Sequence, residues 1–235
     1  MKNITLLFCA LLVKSPGDHL QSDKTIQFDI GPILNARPVT VLYGNKLVSW
    51  RRGIDGDGLA DGYLTLGAAL FKGDKNPHAL PDNGSFAANA FRPKVILHYA
   101  GTDTLSNQAC AITGAGSVGF SVRAKRYSAV YLALTSAEGP SLLHIKLFYT
   151  DGAAEKDFLV PDYYQDVPPG DPNLSYLAHD LAKWGNKNNM TEKDHHNIDL
   201  LNIHPDPGKK LYSISITKSK PGYLVIWAAT GVKSS

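Results

Sequence analysis

Residues 129 to 152, AVYLALTSAEGPSLLHIKLFYTDG, constrain the fold more than any other stretch, because apolar side chains alternate on both sides of a Gly-Pro break. In the first arm Val130, Leu132 and Leu134 share one face. In the second, Leu143, Ile145, Leu147 and Tyr149 alternate with His144, Lys146 and Phe148. A period of two belongs to a pleated strand with one buried face. Gly139 and Pro140 stand where the ladder has to stop, since proline lacks an N–H and glycine tolerates positive φ. The pattern predicts a long hairpin at the centre of an all-β chain.

Shorter alternating segments surround it, at 25–30, 39–43, 46–50, 63–71, 94–99, 117–122, 156–160, 197–203, 211–217 and 223–229, punctuated by Gly, Pro, Asn and Asp. Residues 72–91 read as a long loop. Tyr176, Leu177, Leu181 and Trp184 have the spacing of one side of a short helix that Gly185-Asn186 would end. No repeat and no hydrophobic-poor linker interrupts the pattern. The expectation is an antiparallel β-sandwich or jelly roll with one short helical insertion, residues 23–235 forming a single domain.

The first 22 residues begin with one lysine and an apolar run from Ile4 to Val13. That resembles a secretory signal peptide and is too short to span a membrane. A secreted, periplasmic or cell-surface protein is expected, with no membrane span. Charges of both signs are interspersed and sum to +3, which argues against nucleic acid as a partner. Cys9 and Cys110 cannot build a disulfide framework, and Cys110 is expected as a packed free thiol.

Three stretches hold candidate chemistry. Asp55, Asp57 and Asp61, separated by Gly56, Gly58 and Gly62, resemble the opening of a calcium loop and point to a structural calcium, without the glutamate that closes an EF-hand. Asp-Gly pairs also simply build turns. His195, His196 and His204 are metal-ligand types, but adjacent histidines on a strand point to opposite faces. The belt of Asp162, Tyr163, Tyr164, Gln165 and Asp166, followed by Tyr176, His179, Asp180, Lys183 and Trp184, offers aromatic rings with carboxylates and cations around them. Sugars present apolar C–H faces ringed by hydroxyls, and that combination suits them. Trp50 and Trp227, inside strand patterns, are expected in the core. Neither a nucleophile elbow, a phosphate loop nor a dinucleotide fingerprint occurs.

The order of features in PSLLHIKLFYTDG, FLVPDYYQD, LYSISI and GYLVIWAATG, over residues 115–232, resembles galactose-binding-like sandwich modules of the carbohydrate-binding kind. Such modules end a long central strand in a Tyr-x-Asp-Gly turn, as Tyr149, Asp151 and Gly152 do here. The resemblance implies a sandwich fold and raises carbohydrate binding as an expectation. The leading expectation is therefore a non-catalytic protein binding a polysaccharide or glycan through Tyr163, Tyr164, Tyr176, His179, Asp180 and Trp184. Its alternatives are a small carbohydrate-active hydrolase or lyase using Asp162, His179 and Asp180 as acid and base, and a cell-surface protein-interaction module.

Overall fold

Alternation in sequence becomes alternation in burial most clearly at Ser141–Tyr149. Leu143, Ile145 and Leu147 are fully buried while His144, Lys146 and Phe148 are only half covered. A computed structural model describes residues 24–56, 61–74, 78–100, 106–219 and 221–234. The signal-peptide expectation at residues 1–22, with Cys9, and the calcium candidate Asp57 lie outside the described residues.

The first part of the chain supplies short elements: β1 (Thr25–Gln27), β2 (Val39–Tyr43), β3 (Lys46–Val48), β4 (Tyr63–Leu64), α1 (Leu66–Phe71), β5 (Ser85–Phe86) and β6 (Val95–Ile96). Longer strands follow: β7 (Cys110–Thr113), β8 (Gly116–Lys125), β9 (Tyr127–Ala137), β10 (Ser141–Tyr149) and β11 (Gly152–Val160). The last four are β12 (Leu174–Trp184), β13 (Met190–Ile203), β14 (Leu211–Lys218) and β15 (Tyr223–Lys233).

One sheet runs β1-β15-β9-β13-β12, with β7 also paired to β15, and the opposing sheet runs β11-β10-β14-β8; every pairing in both is antiparallel. Between them lies a core of Leu132, Leu134, Leu143, Ile145, Leu147, Ile214, Ile216, Leu224 and Ile226, among others. Full burial of each such side chain stabilises the fold by about 1.5–3 kcal/mol before entropy is counted. The chain is thus an all-β, antiparallel sandwich.

A second apolar layer covers the outer face of the larger sheet. Val39, Ile54, Tyr63, Leu80, Leu97 and Tyr99 from the first half of the chain pack on Ala133, Leu181, Ile198, Leu200, Val225 and Trp227. Burial on both faces explains why β9 and β15 read as nearly continuous apolar runs. Trp227 is fully buried, stacked on Tyr63 at 5.7 Å, as its strand pattern predicts. Trp50 is only half-buried, its indole N–H given to the Trp184 carbonyl. Cys110 is a free, buried thiol, and burial pushes its pKa up to about 11.

Three expectations need correction. The two arms around Gly139-Pro140 are not a hairpin: β9 pairs with β13 and β15, whereas β10 pairs with β11 and β14. Period-two patterning specifies the buried face of each strand and leaves its ladder partner open. The connection is an arch across the sandwich, with Glu138 (φ 59°) and Gly139 (φ 108°) left-handed and the Ser136 and Ser141 hydroxyls 2.7 Å apart.

The helical insertion is α1, inside the stretch expected as a strand from 63 to 71. Adjacent Ala68 and Ala69 are both buried there against Leu64 and Trp184, which an extended chain with alternating faces does not allow.

Tyr176 to Trp184 belongs instead to β12. The ladder to β13 passes from Tyr176↔Asp199 to Ala178↔Ile198 and on to Leu181↔His196, so β12 takes an extra residue in each step. Bulged strands mix steps of two and three, and that mixture imitates helical spacing.

Candidate functional site

The bulges matter because they aim polar side chains of β12 and β13 toward the loop at residues 161–173. Between Leu181↔His196 and Lys183↔Glu192, β13 takes four steps where β12 takes two, with His195 at φ 79°. Residues four apart on a regular strand stand about 13 Å apart. Here the Glu192 and His196 side chains approach to 2.9 Å. The loop is tied down through Asn197, whose backbone N–H donates to the Tyr163 carbonyl (3.0 Å) and whose side chain donates to the Gln165 carbonyl (3.3 Å).

Two clusters result. The first surrounds the Lys183 ammonium, whose side chain is only 8% exposed. Its Nζ donates to the hydroxyls of Tyr163 (3.1 Å) and Tyr164 (3.2 Å) and faces Asp55, Asp61 and Glu192 at 3.4, 3.6 and 3.6 Å. Tyr163 donates to Asp55 (3.2 Å), Tyr164 donates to both oxygens of Glu192 (2.8 Å), and Thr191 donates to Asp61 (2.6 Å). Burial opposes a charge on Lys183, yet the Tyr164 hydroxyl and Asp55 outweigh it and hold the pKa above the usual lysine value. Burial likewise opposes charge on Glu192, but Tyr164 and Lys183 keep its carboxyl below the ordinary range.

His196 closes this cluster from beneath and is fully buried. Its Nδ1 lies 2.8 Å from the Leu181 carbonyl, which can only accept, so the proton sits on Nδ1. Nε2 lies 2.9 Å from Glu192 without a hydrogen bond, and burial lowers the imidazole pKa although the Glu192 carboxylate acts to raise it.

The second cluster is more open. Tyr176 donates to Asp166 (3.0 Å), while His179 lies 3.3 Å from Asp166 and 2.8 Å from Asp180, with the Tyr176 and His179 rings 4.4 Å apart. Hydrogen bonds from His179 and Tyr176 lower the Asp166 pKa. Asp180 sits at φ 56°, one of the bulge positions that turn these side chains outward.

Of the expected sugar-binding residues, Tyr164 (47% exposed), Tyr176, His179 and Asp180 reach the surface. Tyr163 and Trp184 are each 3% exposed; the first packs in the outer core and the second against Leu64, Ala68 and Ala69. Asp162 accepts the N–H of Gly139 (2.7 Å) and of Tyr164 (3.1 Å), capping the arch. Among the described residues no hydrogen bond or ion pair joins it to His179 or Asp180.

Asp55 and Asp61 do converge, on Lys183. Among the described residues no group of three or more His, Cys, Asp and Glu is arranged to hold a metal ion. His195 and His204 are exposed, apart from His196. Sequence reasoning missed Glu192 and His196 as members of the site; the only signal was that two polar residues flank a run that breaks the strand period. The chain matches no protein-family model and no curated protein sequence.

Proposed function

We propose that this protein is a non-catalytic β-sandwich that binds a polysaccharide or glycan across Tyr164, Glu192, Asp166, Tyr176, His179 and Asp180. The observation that carries the reading is Tyr164: its ring is half exposed while its hydroxyl is pinned by Glu192 and Lys183. A pre-oriented ring suits the C–H face of a sugar at small entropic cost, and the carboxylates and imidazole beside it suit the ring of hydroxyls. The resemblance to galactose-binding-like modules supports the same assignment, and the leader-like first 22 residues support export.

Two observations favour binding over catalysis. Both oxygens of Asp162 are engaged by backbone N–H groups, and Lys183 is held as an ammonium, which removes an amine nucleophile. The carbohydrate-active alternative rests on His179, flanked by Asp166 and Asp180. A glycan array followed by product analysis on every hit tests the assignment. Retention without turnover supports it; turnover abolished by His179→Ala replaces it with the enzyme; silence on every glycan overturns both.

A further inference from the structure

On α1, which packs against Trp184 of β12, the usual order of side chains is reversed. α1 buries its alanines, Ala68 and Ala69, and exposes Leu66 (42%), Leu70 (57%) and Phe71 (51%). A surface helix of a globular protein normally does the opposite. Tyr43, at the end of β2, is also 51% exposed. These four are among ten exposed large apolar side chains in the described residues, so they are concentrated here.

β2, β3 and α1 share one small core: Leu42 and Leu47 pack with Leu64, Ala68, Ala69 and Trp184. Each element ends in a tip. Gly44 (φ 56°) follows Tyr43 and Gly73 (φ 75°) follows α1, and a Cβ built on either glycine would meet nothing within 4 Å. Lys46 and Lys72 are exposed beside the two tips, and neither joins an ion pair among the described residues. Of the acids flanking α1, Asp82 accepts the Gly67 N–H (2.8 Å), and Asp74 follows Lys72 by two residues without an ion pair between them.

We propose that this end docks on a lipid bilayer bearing anionic headgroups, with Tyr43, Leu70 and Phe71 entering the interface and Lys46 and Lys72 meeting the headgroup charge. A protein partner needs a complementary concave surface for two separate convex tips. A bilayer deforms around them, and unneutralised lysines next to exposed apolar residues are what an anionic interface favours. The docking surface shares no residue with the proposed glycan surface.

Flotation of the full-length protein with vesicles tests it, using phosphatidylcholine mixed with phosphatidylserine and phosphatidylcholine alone. Binding to the mixed vesicles is expected, weakened by salt and reduced at least about tenfold in Leu70→Ser/Phe71→Ser and in Lys46→Glu/Lys72→Glu. All of these side chains are exposed, so the variants should keep the wild-type melting temperature. Absence of wild-type flotation, or flotation equal in the variants, overturns the proposal. So does a concentration-dependent dimer in ultracentrifugation that Leu70→Ser/Phe71→Ser abolishes, since the patch would then belong to a second copy.

Discussion

The Tyr164 hydroxyl lies 2.8 Å from each carboxylate oxygen of Glu192, and this one contact joins the exposed surface of the site to its buried interior. Behind it stands Lys183, and behind Lys183 stand Asp55 and Asp61. The orientation of the proposed sugar platform therefore depends on a buried ammonium contributed by β12.

Removing that ammonium leaves Asp55 and Asp61, both largely buried, and the more exposed Glu192 without their shared cation. Lys183→Met is expected to destabilise the protein by about 3–5 kcal/mol, the usual result of breaking a buried ion pair on one side. Urea denaturation measures it. A loss below about 1 kcal/mol would show that the cluster is solvated as an ordinary surface network.

Trp184 and Tyr164 separate stability from binding. Trp184 is buried against Leu64, Ala68 and Ala69, so Trp184→Ala should cost about 3–5 kcal/mol through loss of packing. A Trp184→Ala protein that melts normally yet loses glycan would return the indole to the platform.

A calcium ion at this turn would compete with Lys183 for the same acids. A divalent ion held by Asp55 and Asp61 would sit beside an ammonium 3.4–3.6 Å from their oxygens, and like charges at that distance repel. Chelator is therefore expected to leave the wild-type melting temperature unchanged. A chelator-induced fall that Asp57→Ala removes would assign the turn to calcium.

Asp199 supplies a pH dependence. It is 1% exposed, stands opposite Leu134 and Tyr176 in the ladder, has an Oδ1 without a hydrogen bond, and burial pushes its pKa up to about 7. The unfolded carboxyl titrates at about 3.9. Between these values the unfolded chain has lost the proton that the folded chain retains. This group's contribution to stability is therefore complete below pH ~4 and declines, by up to about 1.4 kcal/mol per pH unit, until the folded carboxyl ionises near 7. Asp199→Asn should flatten that slope between pH 4 and pH 7 in denaturation curves. An unchanged slope would show that Asp199 is ionised or paired in the folded state.

The sequence made the strand content legible because β8, β10, β11 and β14 keep a period of two, while β9 and β15 read as apolar runs between turn residues. It left open which strand pairs with which, since Val130 and Leu143 carry the same pattern whether their strands share a sheet or face each other across the core. The site was half legible for a related reason. Tyr164, Tyr176, His179 and Asp180 could be found by composition, because rings and acids cluster in a short stretch. The partnership of Lys183 with Asp55, Asp61 and Glu192 spans distant segments and depends on bulges at His195 and Asp180, and no local propensity announces either. The same bulges give β12 its helix-like spacing.

Affinity of the wild type and of Tyr164→Ala for a glycan retained on the array, measured by calorimetry alongside melting curves, tests the central claim most directly. The expected result is about a tenfold loss of affinity in a protein that still melts cooperatively, with some loss of stability because the Tyr164 hydroxyl also holds Glu192 and Lys183; stacking on one aromatic ring is worth on the order of 1–2 kcal/mol. Undiminished affinity in Tyr164→Ala would contradict it and place the glycan elsewhere on the sandwich.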